Sequence, residues 1–267
     1  MAAKRGPSPP MPTTPWILWL CGAFLAGSIP FAVLIGYARG VDIRRHGSGN
    51  PGATNLGRAV GKRWGLLCFV LDVLKGLLPV LGFAAVLYTQ NTPWRVITLR
   101  GGHPVLLDTA LSVQWVLLAV AAVAGHVFSP WLGFRGGKGV ATGLGATLGL
   151  CPVVTLPAAL AFVLWYAVAR ISGYVGLASA AAAAGLPVLT LGNALRVGLG
   201  PGPTAVFTAL TALLAALVIW RHRGNLVRIR AGTEPRAGWT RRRRDRAATP
   251  PAPPPPGIEP VEKRELY

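Results

Sequence analysis

Long apolar runs alternate with short polar loops along this chain, and the runs are as long as membrane spans. About twenty apolar residues at 1.5 Å each cross the roughly 30 Å hydrocarbon core of a bilayer. Such runs occupy Trp16–Tyr37, Trp64–Tyr88 and Ser112–Phe128. From Val140 to Val168 the apolar stretch is too long for one span. Cys151-Pro152 and Pro157 interrupt it, so it predicts a hairpin of two arms with a short first arm. Val175–Leu191 and Thr204–Trp220 complete the series. The pattern predicts an all-α polytopic membrane protein of about seven transmembrane helices. Residues 16–234 form the membrane domain. A Pro-rich polar tail (1–15) and an Arg/Pro-rich tail (235–267) flank it and are expected to be disordered. No small-residue cleavage pattern follows the first run, so a retained helix is expected in place of a signal peptide.

Charge then orients the spans. Arg39, Arg44, Arg45, Arg58, Lys62 and Arg63 crowd the first loop against Asp42 alone, which assigns that loop to the cytoplasm. The N-terminus is therefore expected outside and the C-terminus inside. Thr89–Leu111 and Gly192–Pro203 become external loops, and Arg170–Tyr174 a cytoplasmic turn. A net charge of +19 would point to nucleic acid in a soluble chain. Here 52% of the residues are hydrophobic and only 13% charged, with much of the charge in short loops and one tail. That distribution fits anionic lipid headgroups and argues against a nucleic-acid partner.

Candidate chemistry centres on Gly125–Gly145, GHVFSPWLGFRGGKGVATGLG. Arg135 and Lys138 stand among Gly136, Gly137 and Gly139, just before an apolar run restarts as helix. Bare backbone, fixed cations and a helix start together make a phosphate-binding device. A P-loop is excluded, because Gly139 follows Lys138 where that motif needs Ser or Thr. A glycine-rich turn whose cations merely hold the loop at the cytoplasmic side fits the same residues. Two further inner-face pieces share its character. Ser48–Arg58, SGNPGATNLGR, is rich in hydroxyls and amides. Arg221–Glu234, RHRGNLVRIRAGTE, is amphipathic, and helical spacing puts His222, Asn225 and Arg228 on adjoining turns of one face. A helix lying on the membrane surface reads those residues equally well.

Other features carry less. Asp72 and Lys75, at i,i+3 inside a span, are expected to pair and face the bundle interior. Cys21, Cys68 and Cys151 are isolated in apolar segments and read as small hydrophobes. With eight acids and no carboxylate–histidine cluster, no metal site is expected. His103 and Asp108 have the H-x4-D spacing in which a histidine acts as base, oriented by the aspartate. Topology puts them on the outer face, and Pro104 argues against a helical turn holding them.

The three inner-face pieces resemble the three motifs of the bacterial glycerol-3-phosphate acyltransferases that use acyl phosphate as donor, the PlsY family. The likeness extends over GSIPF (Gly27–Phe31), GSGNPGATN (Gly47–Asn55), LDVLKG (Leu71–Gly76), GHVFSPWLGFRGGKGVAT (Gly125–Thr142) and the Arg221–Glu234 segment. It runs from about Leu20 to Glu234, in order, and excludes both tails. The resemblance implies a seven-span enzyme of the bacterial inner membrane with its site on the cytoplasmic face. It implies transfer of a fatty acyl group from acyl phosphate to the sn-1 hydroxyl of glycerol 3-phosphate, giving lysophosphatidic acid and phosphate. No cofactor or metal is implied, and a monomer is expected.

Carried over, the family pattern assigns Lys138, with the Gly136, Gly137 and Gly139 backbone, to phosphate binding, with Arg58 beside it. Ser48, Asn50, Thr54 and Asn55 shape the pocket, and Ser179 positions substrate. His222 and Asn225 bind glycerol 3-phosphate, His222 being also the rival to a donor phosphate oxygen as general base. The family often has Ser-Leu-Ala-Ser where this chain has Gly176-Leu177-Ala178-Ser179, which loosens the Ser179 assignment. Glu234 matches the acid of the third motif, with no role assigned. A transporter for a phosphorylated solute is the alternative class, but the polar groups gather at one face instead of the midplane.

Overall fold

The computed structural model describes residues 13–89 and 109–237. The His103–Asp108 pair, most of the Thr89–Leu111 loop and nearly all of both tails lie outside the described residues. Within them the chain is helical throughout. Its order is α1 (Thr13–Ser28), α2 (Phe31–Ala38), α3 (Ala53–Ala59), α4 (Lys62–Thr89), α5 (Thr109–Val127), α6 (Val140–Gly149), α7 (Thr155–Ser172), α8 (Val175–Arg196), α9 (Pro201–Arg221) and α10 (Arg223–Arg230).

Six segments among the described residues are long and apolar enough to cross a membrane, with α1 and α2 counted as one broken segment, Pro15–Ala38. The apolar stretch from Val140 does divide in two near Cys151 and Pro152, as its prolines require. Its first arm, α6, has only 10 residues. At 1.5 Å per residue that is about 15 Å, half the hydrocarbon core. The seventh apolar element is therefore a half-length helix.

The first run, read as one helix, is broken after Ser28. Pro30 has no N–H to donate and disfavours helix at the preceding residue. Side chains from elsewhere satisfy the freed carbonyls. Lys75 Nζ donates to the Ile29 carbonyl at 2.6 Å, and Ser129 Oγ donates to that of Ser28 at 2.7 Å. Lys75 is in turn paired with Asp72 at 2.7 Å, both almost wholly buried, as their i,i+3 spacing predicts.

Glycines set the helix spacing, as expected where lipid supplies no hydrophobic drive and helices associate by close contact. A Cβ at Gly27 or Gly125 would collide with the α5 or α1 backbone at Ala122 and Phe24. Gly76, Gly145 and Gly149 similarly bring α4 and α6 together, against Thr142, Val73 and Val80. The main core lies between α1, α4, α5, α6 and α9 around Phe83, Trp115, Leu118, Leu150 and Phe207. A smaller core of Ala32, Val33, Ile43, Leu56 and Cys68 seats the first polar loop on α4. The short α6 leaves space beside it, toward α7, α8 and α9, and the cavity occupies that space.

Candidate active site

All three polar pieces singled out in the sequence meet at one end of the bundle, around a cavity of about 610 Å³. Its mouth is lined by Ser48, Asn50, Thr54, Arg58, Lys138, His222, Asn225, Arg228 and Glu234. Deeper, between the helices, the walls turn apolar: Phe69, Leu144, Phe162, Leu186, Leu214 and Val218. Phe162 stacks on Trp165 at 5.6 Å and faces Phe69 at 6.3 Å, joining α7 to α4. The cavity thus has a cationic end and a hydrocarbon end.

The first loop is folded around Asn55. Its Nδ2 donates to the carbonyls of Ile43 (2.9 Å) and His46 (3.0 Å), and its Oδ1 accepts the Ser48 N–H at 3.1 Å. Gly47, at φ 57°, passes so close to Asn55 Oδ1 that only glycine fits. Asn55 therefore builds the pocket wall, while Ser48, Thr54 and Arg58 are exposed at the mouth. Arg58, in the last turn of α3, reaches the Pro235 carbonyl at 3.2 Å.

The glycine-lysine loop behaves differently at its two ends. Gly139 adopts φ 81° and stands at the N-terminus of α6, where no side chain caps the first amides. Those amides have no acceptors inside the helix and carry its positive end. Lys138 and Gly139 line the cavity. Gly136 and Gly137, expected to offer N–H groups to a ligand, do not line it. Their N–H groups are spent on the carbonyls of Val127 (3.0 Å) and His126 (3.2 Å), and their own carbonyls accept from Arg221. They hold the loop down; the open backbone begins at Lys138.

Lys138 donates to Asn225 Oδ1, Asn225 Nδ2 donates to Glu234 Oε1 at 2.6 Å, and Arg228 Nε donates to Glu234 Oε2 at 2.7 Å. Glu234 thereby fixes the amide orientation of Asn225. In the sequence it was a matched acid without a role. Its being an acid inside the strongly basic Arg221–Arg236 segment was the signal available. Arg221 was missed altogether. Gly176 lies beneath Asn225, where a Cβ would come within 2.7 Å of the Asn225 Cβ, so glycine there sets the approach of α8 to α10. Ser179, one turn further in, donates to the Val175 carbonyl at 2.9 Å and accepts from Trp165 Nε1 at 3.2 Å.

Burial pushes the Lys138 ammonium down to about 8; Glu234 opposes this, and Arg228, Arg221 and Arg58 add to it. His222 is buried, and burial followed by the nearby Lys138 charge lowers it to about 4. Its Nδ1 lies 2.7 Å from the Val218 carbonyl, so Nδ1 carries the hydrogen and Nε2 the lone pair of a neutral ring. Lys138, Arg58 and Arg228 stand with Glu234 at the mouth, and the other carboxylate of the lining, Asp72, is paired with Lys75, so a surplus of cation remains that suits a multiply charged anion. Among the described residues no His, Cys, Asp and Glu group of three or more could hold a metal ion.

A family model described as "Glycerol-3-phosphate acyltransferase" matches residues 17–232. The chain belongs to the glycerol-3-phosphate acyltransferase family. It is 42% identical over 214 residues to the glycerol-3-phosphate acyltransferase of Myxococcus xanthus, covering 80% of this chain and 95% of that one. With the Geobacter metallireducens acyltransferase it shares 44% over 221 residues, 82% and 96% of the two chains. Crystal structures of PlsY (YgiH), an integral membrane glycerol 3-phosphate acyltransferase, are also similar. The glycerol 3-phosphate form has a TM-score of 0.66 at 32% identity, covering 84% of this chain and 96% of that one. The lysophosphatidic acid form has a TM-score of 0.65 at 31% identity with the same coverage. This acyltransferase is accordingly an integral membrane enzyme acting on glycerol 3-phosphate.

Proposed function

We propose that this acyltransferase takes its acyl group from acyl phosphate and delivers it to the sn-1 hydroxyl of glycerol 3-phosphate. The supporting observation is the two-ended cavity: Lys138, Arg58, Arg228, His222 and Asn225 at the mouth, apolar walls between the helices behind them. A donor with a phosphate head and a hydrocarbon tail fits that polarity, and the cations at the mouth outnumber the charge of Glu234, which suits a second phosphate there.

The step is a direct displacement. The glycerol hydroxyl oxygen attacks the acyl carbonyl carbon, the carbonyl–phosphate bond breaks, and inorganic phosphate leaves with the hydroxyl proton. An acyl phosphate is already activated, so positioning and charge stabilisation supply the catalysis. Lys138, with the open amides from Gly139 onward, holds phosphate. Arg58 lies beside it, within the pocket shaped by Ser48, Asn50, Thr54 and Asn55. Asn225, aligned by Glu234, and His222 Nε2 hold glycerol 3-phosphate, and Ser179 orients the neck of the donor near Trp165. A neutral imidazole held near 4 is a poor acceptor for an alcohol proton at neutral pH, which favours a phosphate oxygen of the donor as the base.

The cationic end is assigned to the cytoplasmic side of a bacterial inner membrane by the basic first loop. With α6 counted as a crossing, seven spans put the N-terminus outside and the C-terminus inside, and a monomer contains every site residue. The test is purified enzyme in detergent with labelled glycerol 3-phosphate and palmitoyl phosphate, without added metal, beside tubes holding palmitoyl-CoA. Labelled lysophosphatidic acid from palmitoyl phosphate alone is expected. Product from palmitoyl-CoA alone would sink the donor assignment.

A further inference from the structure

The loop that carries Lys138 is gripped from two sides. From α5, the Val127 and His126 carbonyls, which the helix end leaves without partners, accept the N–H groups of Gly136 (3.0 Å) and Gly137 (3.2 Å). From α9, one guanidinium nitrogen of Arg221 donates to the carbonyls of both Gly136 and Gly137, each at 2.9 Å. No slack remains, because a Cβ at Gly136 or Gly137 would run into the His126 carbonyl or its ring. Lys138 is the next residue in the chain.

Arg221 is also the last residue of α9 and directly precedes His222. One side chain therefore ties the segment bearing Lys138 to the segment bearing His222 and Asn225. Without it the two consecutive glycines, whose backbone is the most permissive of any residue type, would be held from the α5 side alone. We propose that Arg221 is a positioning residue for acyl transfer: by fixing the Gly136–Gly137 backbone it sets the spacing between the Lys138 ammonium and the His222 imidazole. An arginine suits the task because its planar head presents two hydrogens from one nitrogen at a fixed angle, a geometry a lysine reproduces only in part. The inference rests on the reading of Lys138 as the phosphate-holding cation.

The experiment uses the full chain in detergent, with Arg221→Gln, Arg221→Lys, Lys138→Ala and the Lys138→Ala/Arg221→Gln double variant. Turnover and KM for both substrates are measured beside thermal unfolding. Arg221→Gln is expected to lower kcat/KM about 30- to 100-fold, the scale of a 1 Å misplacement at a reacting centre, with unfolding little changed. Arg221→Lys should recover part of this. In the Lys138→Ala background Arg221→Gln should cost less than about threefold, since no ammonium is left to position.

An Arg221→Gln enzyme within about threefold of the parent would overturn the proposal. So would an equal loss in both backgrounds, or a loss that tracks unfolding and is not relieved by lysine. A Lys138→Ala enzyme with near-parent activity would instead refute the site reading beneath it.

Discussion

Two lysines in this protein, Lys75 and Lys138, sit in opposite kinds of surroundings. Lys75 is almost wholly buried, paired with Asp72 at 2.7 Å and bonded to the Ile29 carbonyl, with His126 at 3.8 Å from the same carboxylate. Lys138 is half-buried, shares Asn225 with Glu234, and faces the cavity in company with Arg58 and Arg228. In the first cluster one carboxylate answers one ammonium, and the lysine's hydrogens are spent on α4 and on the break between α1 and α2. In the second, cations outnumber carboxylates, and the remaining demand for negative charge is open to a ligand. The same residue type thus holds helices together in one place and prepares a binding site in the other; charge balance and accessibility separate the two.

The sharpest way to break the comparison is to delete each lysine. Lys138→Ala should lower kcat/KM about 10²- to 10³-fold, the scale of losing one preorganised donor to developing charge, while thermal unfolding in detergent moves little. A variant retaining most activity would refute the central assignment. Asp72→Asn should do the reverse. It leaves an unpaired buried ammonium, at a cost of about 3–5 kcal/mol seen in unfolding, with turnover per folded molecule within about threefold. Asp72→Asn combined with Lys75→Gln should recover much of that stability, because a hydrogen-bonding pair and a donor toward Ile29 are restored. If the double variant is no better than the single one, the balanced-pair account is wrong.

Smaller effects sharpen the ligand side. His222→Gln should raise KM for glycerol 3-phosphate about tenfold with kcat nearly unchanged, since a hydrogen-bonding partner is altered and no base is lost. A collapse of kcat at unchanged KM would restore His222 as the base. The mildest test is pH. Lys138 holds phosphate only as the cation and lies near 8 in the empty site, so kcat/KM should fall as pH rises through that value. His222, near 4, should add no change between about pH 5 and 7. Glu234 favours the charged lysine, so Glu234→Gln should move the basic limb to lower pH; a limb that stays or moves upward contradicts the electrostatic reading.

Much of this was legible along the chain. Span-length runs located the long helices, the three polar pieces supplied nine of the expected site residues that line the cavity, and Ser179 from α8 makes ten of the twelve. The failures are local. Gly136 and Gly137 look like ligand-facing backbone, because a glycine pair beside a lysine has the same letters whether its amides are free or bonded to a preceding helix. The first run looks continuous, because Pro30 changes hydropathy too little to show a break that Lys75 and Ser129 repair from elsewhere. Arg221 looked like one more interfacial cation.

Hydropathy, charge placement and motif spacing by themselves determined that this is a helical membrane protein and which polar pieces gather at one face. Those properties are local: burial length and loop charge act over a single span. Tertiary structure alone decided that the space beside the short α6 becomes the cavity, that Asn55 builds its loop, and that Glu234 and Arg221 align the residues beside them. Each depends on hydrogen bonds or backbone contacts between residues distant in the chain, and these exist only once glycines at Gly76, Gly145 and Gly176 let the helices meet.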